Sequence, residues 1–178
     1  MRPFAHFKTI TEHRKLVCRY CFRLGLYRQG IIHDLSKYSI TEFWRGAKYY
    51  QGYRSPNDAE RMETGVSLAW LHHKGRNPHH FEYWIDYLPA QNGSVKFGGL
   101  EMPLRYVAEM FCDRIAACKI YLGSAYHDGA PYEYFIKSKH EIMIHPKTSA
   151  ELEEMLRVLK DDGENAAFCF VRRRLKRE

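Results

Sequence analysis

The stretch Glu109-Met110-Phe111-Cys112-Asp113-Arg114-Ile115 decides how this chain folds. It lies within a run that Pro103 opens and Gly123 closes, and the apolar spacing predicts a strong helix over 103–121. The helix is otherwise apolar, so Asp113, flanked by Phe111, Ile115 and Ala116, needs a reason to be there. Burying an unpaired carboxylate is costly, and a cation removes that cost. The plainer alternatives are a pairing with Arg114 or a solvent-facing position.

Outward from this helix the apolar spacing stays helical almost throughout. Residues 6–26 carry Phe7, Ile10, Leu16, Val17, Tyr20, Phe22 and Leu24, with Gly25 near the stop. Ser39-Ile40-Thr41-Glu42 reads as a capping box opening a helix through Phe43, Trp44 and Tyr49. Residues 59–73 read as a third long helix. Lys74-Gly75-Arg76-Asn77-Pro78 breaks it, and Pro78 suits the first turn of a helix running to about Leu88. Residues 89–99, rich in Gly, Asn and Ser, read as a loop and a candidate flap. Helices follow over 131–144 and 150–160, with Asp161-Asp162-Gly163 as a stop, and over 164–176. No strand alternation or hairpin dipeptide stands out. The expected fold is all-α, a single-domain helical bundle: a core over 1–125 and a C-terminal helical extension over 126–178 that packs on it and ends in a basic tail.

Composition agrees with a folded domain. The chain has 178 residues, 13 Tyr and 10 Phe, enough to bury a core and to argue against disorder. No apolar run approaches the roughly 20 residues that span a bilayer. The N-terminus lacks a signal-peptide core, so the expected location is cytoplasmic. Five cysteines, with Cys18 and Cys21 as a C-x-x-C in a helical segment, read as packed thiols rather than disulfides or a zinc site. The net charge of +7 favours an anionic partner: a phosphorylated small molecule, or a nucleic acid held by the tail Arg172-Arg173-Arg174-Leu175-Lys176-Arg177.

The chemistry gathers around histidine. His33-Asp34 sits where one helix yields to another, and a backbone kink lets both side chains reach one divalent cation. His13 lies upstream. His72-His73 and His79-His80 flank a helix-breaking loop, and Asp113 follows downstream. Neighbours on a helix diverge by about 100°, so one member of each doublet is expected to face the site. His73 shares a face with Met62, Val66 and Ala69 and is favoured over His72; His80 is favoured in the second doublet. Lys37, one turn after Asp34, is placed to contact a phosphate and Arg76 to clamp a second oxygen, although either also reads as a surface cation. Glu42 and Glu109 are candidates for orienting histidines.

In this order His13, His33, Asp34 and Asp113 resemble the HD-domain metalloproteins, all-α proteins in which a His, a His-Asp pair and a distant Asp bind a divalent cation. Leu35-Ser36-Lys37 is similar to that family's Leu-Gly-Lys, with Ser36 in place of Gly. The likeness covers residues 6–121. The segment from His72 to Trp84 further resembles a bacterial and phage family of HD-like proteins with no activity to transfer.

The resemblance implies His13, His33 and Asp113 as ligands of one ion, with Asp34 able to bridge to a second held by His73 and His80. The cofactor would be one or two divalent transition ions, from Mn, Fe, Zn, Co or Ni. Hydrolysis of a nucleotide or another small phosphoester is the expected activity, with Asp34 and Lys37 in the chemistry and Lys37 and Arg76 on the substrate. The alternatives are a mixed-valent di-iron oxygenase and a basic nucleic-acid-binding module without catalysis.

Overall fold

The computed structural model describes residues 1–89 and 93–177. Among these residues eight helices run in order: α1 Pro3–Leu24, α2 Tyr27–Ile32, α3 Ile40–Tyr49, α4 Pro56–Thr64, α5 Leu68–Lys74, α6 Leu104–Leu122, α7 Ala130–Ser138 and α8 Pro146–Leu175. Two short strands, β1 Ile85–Pro89 and β2 Val95–Gly99, separate α5 from α6. The fold is mostly helical and forms a single domain.

Helix α6 is the axis. Val107, Ala108, Glu109, Met110, Phe111, Cys112, Ile115 and Ala116 are all buried, so it is covered on nearly every side, by α1 and α8 above all. Helix α1 presents one buried stripe at helical spacing: His6, Ile10, His13, Val17, Tyr20, Cys21 and Leu24. Gly25, at φ 82°, closes it in the left-handed conformation that favours glycine. Leu152, Met155, Leu156 and Leu159 of α8 and Phe135 of α7 complete a dry core with Phe111 and Ile115. Each large side chain buried there contributes about 1.5–3 kcal/mol. Gly163 (φ 82°, ψ 173°) kinks α8 where Asp161-Asp162-Gly163 predicts a stop.

Four expectations fail locally. The long helix over 59–73 is two helices. Gly65, at φ 79°, ends α4, and Ser67 opens a new start by accepting from the Trp70 N–H. Buried Glu60 accepts from the Ser67 hydroxyl and the Ala69 N–H, fixing the first turn of α5. Met62 is exposed and so shares no interior face with His73. The helix after Pro78 is replaced by a 3₁₀ turn, Phe81–Trp84, and then β1.

The segment 89–99, read as a loop, carries the second strand of an antiparallel hairpin. Ile85 pairs with Gly99 and Pro89 with Val95. Gly99 permits it to dock, because a Cβ there would stand 2.8 Å from the Met143 carbonyl oxygen and the His145 nitrogen. The centre of the expected flap, residues 90–92, lies outside the described residues. Cysteines 18, 21, 112, 118 and 169 are all free thiols. Among the described residues no helix is long and apolar enough to cross a membrane.

Candidate metal centre

The stripe of α1 that buries Val17 and Cys21 turns polar at His13, and the buried face of α6 turns polar at Glu109 and Asp113. Between these faces lies the His33-Asp34 turn. Its backbone kinks as the sequence requires: His33 leaves α2 extended (φ −47°, ψ 126°), and Asp34 takes φ 54°, ψ 24°. Asp34 is the one non-glycine residue with positive φ among those described. Asp tolerates this conformation better than most residues, at a small cost in strain. Arg14 of α1 secures the turn, donating from Nε to the His33 carbonyl at 2.7 Å and from Nη2 to the Ile31 carbonyl at 2.9 Å. Nothing in the sequence marks that arginine.

Asp34 is 1% exposed, and its two oxygens face different neighbours. Oδ2 stands 3.5 Å from His33 Nε2, 3.8 Å from His13 Nε2 and 2.7 Å from the Lys37 ammonium. Asp113 Oδ1 closes this side, 2.9 Å from His13 Nε2 and 3.6 Å from His33 Nε2. Oδ1 of Asp34 stands 3.2 Å from His73 Nε2 and 3.4 Å from His79 Nε2. His80 Nε2 lies 3.0 Å from His73 Nε2. Two groups of convergent donors result: His13, His33, Asp34 and Asp113 on one side, and Asp34, His73, His79 and His80 on the other.

Apart from the His73–His80 hydrogen bond, most of these atoms approach without an aligned bond. His13 Nε2, His33 Nε2, His79 Nε2 and both oxygens of Asp34 are buried with no aligned hydrogen-bond partner. Groups aimed at a shared point behave this way. Two donors each about 2.1 Å from one cation stand roughly 3–3.5 Å apart and point past each other. Buried polar atoms otherwise find partners. The imidazole and carboxylate donors suit divalent transition ions. The residues present therefore fit a cation on either side of Asp34.

The far nitrogens of the rings are tied down by two buried glutamates. Glu109 Oε1 is 2.9 Å from His33 Nδ1 and 3.1 Å from His79 Nδ1. Glu42 Oε2 is 2.8 Å from His73 Nδ1, and its Oε1 is 2.6 Å from His72 Nδ1. Ser39 caps α3 by accepting from the Glu42 N–H, but the Glu42 side chain serves the histidines and does not complete a capping box. Asn77 adds a brace, donating to the His73 carbonyl at 2.7 Å and to Ser36 Oγ at 2.9 Å.

The electrostatics reflect crowding. Burial opposes charge on Asp34, Asp113 and Glu109, yet the neighbouring imidazoles, with Lys37 beside Asp34, hold all three carboxyls below their ordinary values. Burial likewise opposes charge on His33, but Asp34, Asp113 and Glu109 outweigh it and raise its pKa to about 10. Burial, then His79 and His73, push His80 well down. Without a cation the centre is a knot of buried charge.

Of the residues singled out in the sequence, the structure brings together His13, His33, Asp34, His73, His80, Asp113 and Lys37. Arg76 is exposed, its Nη1 donating to the His72 carbonyl at 3.1 Å. His72 turns to Glu42, as divergence on a helix predicts. His79 and His80 do not diverge. They lie in an irregular turn, where the helical angle does not apply, and both rings point inward.

A family model described as "Family of unknown function (DUF5662)" matches residues 2–158, and the chain belongs to that family. No curated protein and no solved structure matches it.

Proposed function

We propose that the chain is a metal-dependent phosphohydrolase of the HD type, acting on a nucleotide or another small phosphoester. The observation that carries this reading is the division of Asp34, whose two buried oxygens face two separate groups of donors. His13, His33, Asp34 and Asp113 would hold one ion, and Asp34, His73, His79 and His80 a second. Bound divalent cations supply a coordinated water of lowered pKa and offset negative charge on a phosphoryl oxygen.

The side chains of Asp113 and Lys37, 16% and 28% exposed, give the first group of donors an open side, and substrate would approach there. Lys37 pairs by charge with Asp34 Oδ2, and its ammonium keeps donors for a phosphate oxygen. Arg76 reaches a second oxygen by giving up the His72 carbonyl.

Elemental analysis of the purified chain, with a nucleotide and phosphoester panel, tests the reading. Two transition ions per chain and hydrolysis that disappears in a His33→Ala, Asp34→Ala variant are expected. A metal-loaded chain that cleaves no phosphoester refutes the hydrolase. Two irons with an oxygen-dependent spectrum would replace hydrolysis by oxygen chemistry.

A further inference from the structure

Glu109 stands one helical turn before Asp113 on α6 and is 4% exposed. Its Oε1 meets the Nδ1 atoms of both His33 and His79, whose rings lie 4.3 Å apart between centroids. His33 belongs to the first group of donors and His79 to the second. We propose that Glu109 is a positioning residue that couples the two cation groups, one carboxylate oxygen fixing the tautomer and ring plane of an imidazole in each. This rests on the two groups being a cation centre, but not on the phosphohydrolase reaction.

The chemistry of the acceptor carries the argument. An ionised carboxylate only accepts, so both Nδ1 atoms must carry the proton, and once a cation displaces any second proton both Nε2 atoms are bare. Those Nε2 atoms are the ones found buried without partners, 3.5 and 3.4 Å from opposite oxygens of Asp34. Glu109, His33, Asp34 and His79 thus close a ring, in which displacing one ring plane disturbs both sides. The same three residues could instead gather a cation at the two Nδ1 atoms. That would move the protons to Nε2, where no aligned acceptor waits, and so the hydrogen-bonded arrangement wins. Glu42 supplies the internal contrast. It orients His73 but no member of the first group.

Titration of the metal-free full chain with cobalt(II), followed by its visible absorption and by elemental analysis, distinguishes the two glutamates. The unsubstituted chain takes up two ions. Glu109→Leu, which fills the space but removes the acceptor, weakens both by about 10–100-fold and alters both spectral signatures. Glu42→Leu weakens one. Glu109→Gln keeps an acceptor oxygen without the charge, weakens both by less, and decides the matter if circular dichroism shows that Glu109→Leu does not fold. Weakening of one ion or neither by the Glu109 substitutions, or a single ion in the unsubstituted chain, overturns the coupling. No uptake at all overturns the cation centre as well, whereas two ions without hydrolysis overturns only the phosphohydrolase.

Discussion

Helices α1 and α6 each pass through two different interiors. Toward one side they bury carbon: Val17, Cys21 and Leu24 of α1 meet Phe111, Cys112 and Ile115 of α6 over the leucines of α8. Toward the other they bury imidazole and carboxylate: His13 of α1 meets Asp113 of α6 around Asp34. The first interior is complete, because apolar side chains need only one another. The second is not, because several of its buried atoms have no aligned hydrogen-bond partner within the protein. One half is held by the solvent it excludes, and the other gathers donors that could hold a cation.

The sharpest way to break this contrast is Asp34→Ala. It removes the one residue common to both groups, so both ions and all phosphoester cleavage should be lost while the helical circular dichroism spectrum persists. An ion retained at full occupancy would show that the polar interior does not depend on Asp34. Phe111→Ala should do the reverse. It opens a cavity in the dry half and lowers stability by about 3–5 kcal/mol in denaturant melts, yet leaves the metal content per folded chain unchanged.

Chelation sharpens the comparison without mutation. An ion present at about 1,000 times its Kd stabilises the folded state by about 4 kcal/mol, so stripping it should lower the melting temperature. Hydrogen exchange should localise the loss to the turn around His33-Asp34 and to the turn holding His79 and His80, with amides at the α6–α8 contact still protected. Uniform loss of protection would mean that the two interiors are one cooperative unit.

Much of this division was legible before the coordinates. Asp113 stands out because its chemistry conflicts with an apolar helix, and such conflicts mark functional sites; His33-Asp34 stands out as a pair at a helix junction, and His13 by its order with them. Glu42 and Glu109 are legible as candidates for orienting those histidines. The features that escaped are set by tertiary contacts. Gly65 and Ser67 redirect the chain after α4, which apolar spacing alone does not register. The hairpin of β1 and β2 is short and both strands are mostly exposed, so no alternation of buried residues announces it. His79 escapes the sequence reading because the helical angle that favours His80 does not hold in an irregular turn. Arg14 acts through backbone carbonyls that no side-chain pattern reveals.

A smaller effect belongs to the margin of the dry half. Burial opposes ionisation of Glu164, but Lys119, Arg23 and Tyr20 hold its pKa below the ordinary 4.5. A depressed carboxylate adds stability that is present above its unfolded pKa and lost as pH falls through the folded value. Acid titration of stability should therefore show a modest loss below about pH 4.5, modest because the side chain is 25% exposed. Glu164→Gln should flatten that segment of the curve and leave metal content untouched. An unchanged acid limb would remove Glu164 from the account.

The central claim is that Asp34 divides a two-ion centre. A crystal grown in the presence of a transition ion, with anomalous difference maps collected at its absorption edge, addresses it directly. The account predicts two peaks, one bounded by His13, His33 and Asp113 and the other by His73, His79 and His80, with the carboxylate of Asp34 between them. A well-ordered crystal with no peak beside Asp34, or with the anomalous signal confined to surface histidines, would contradict it.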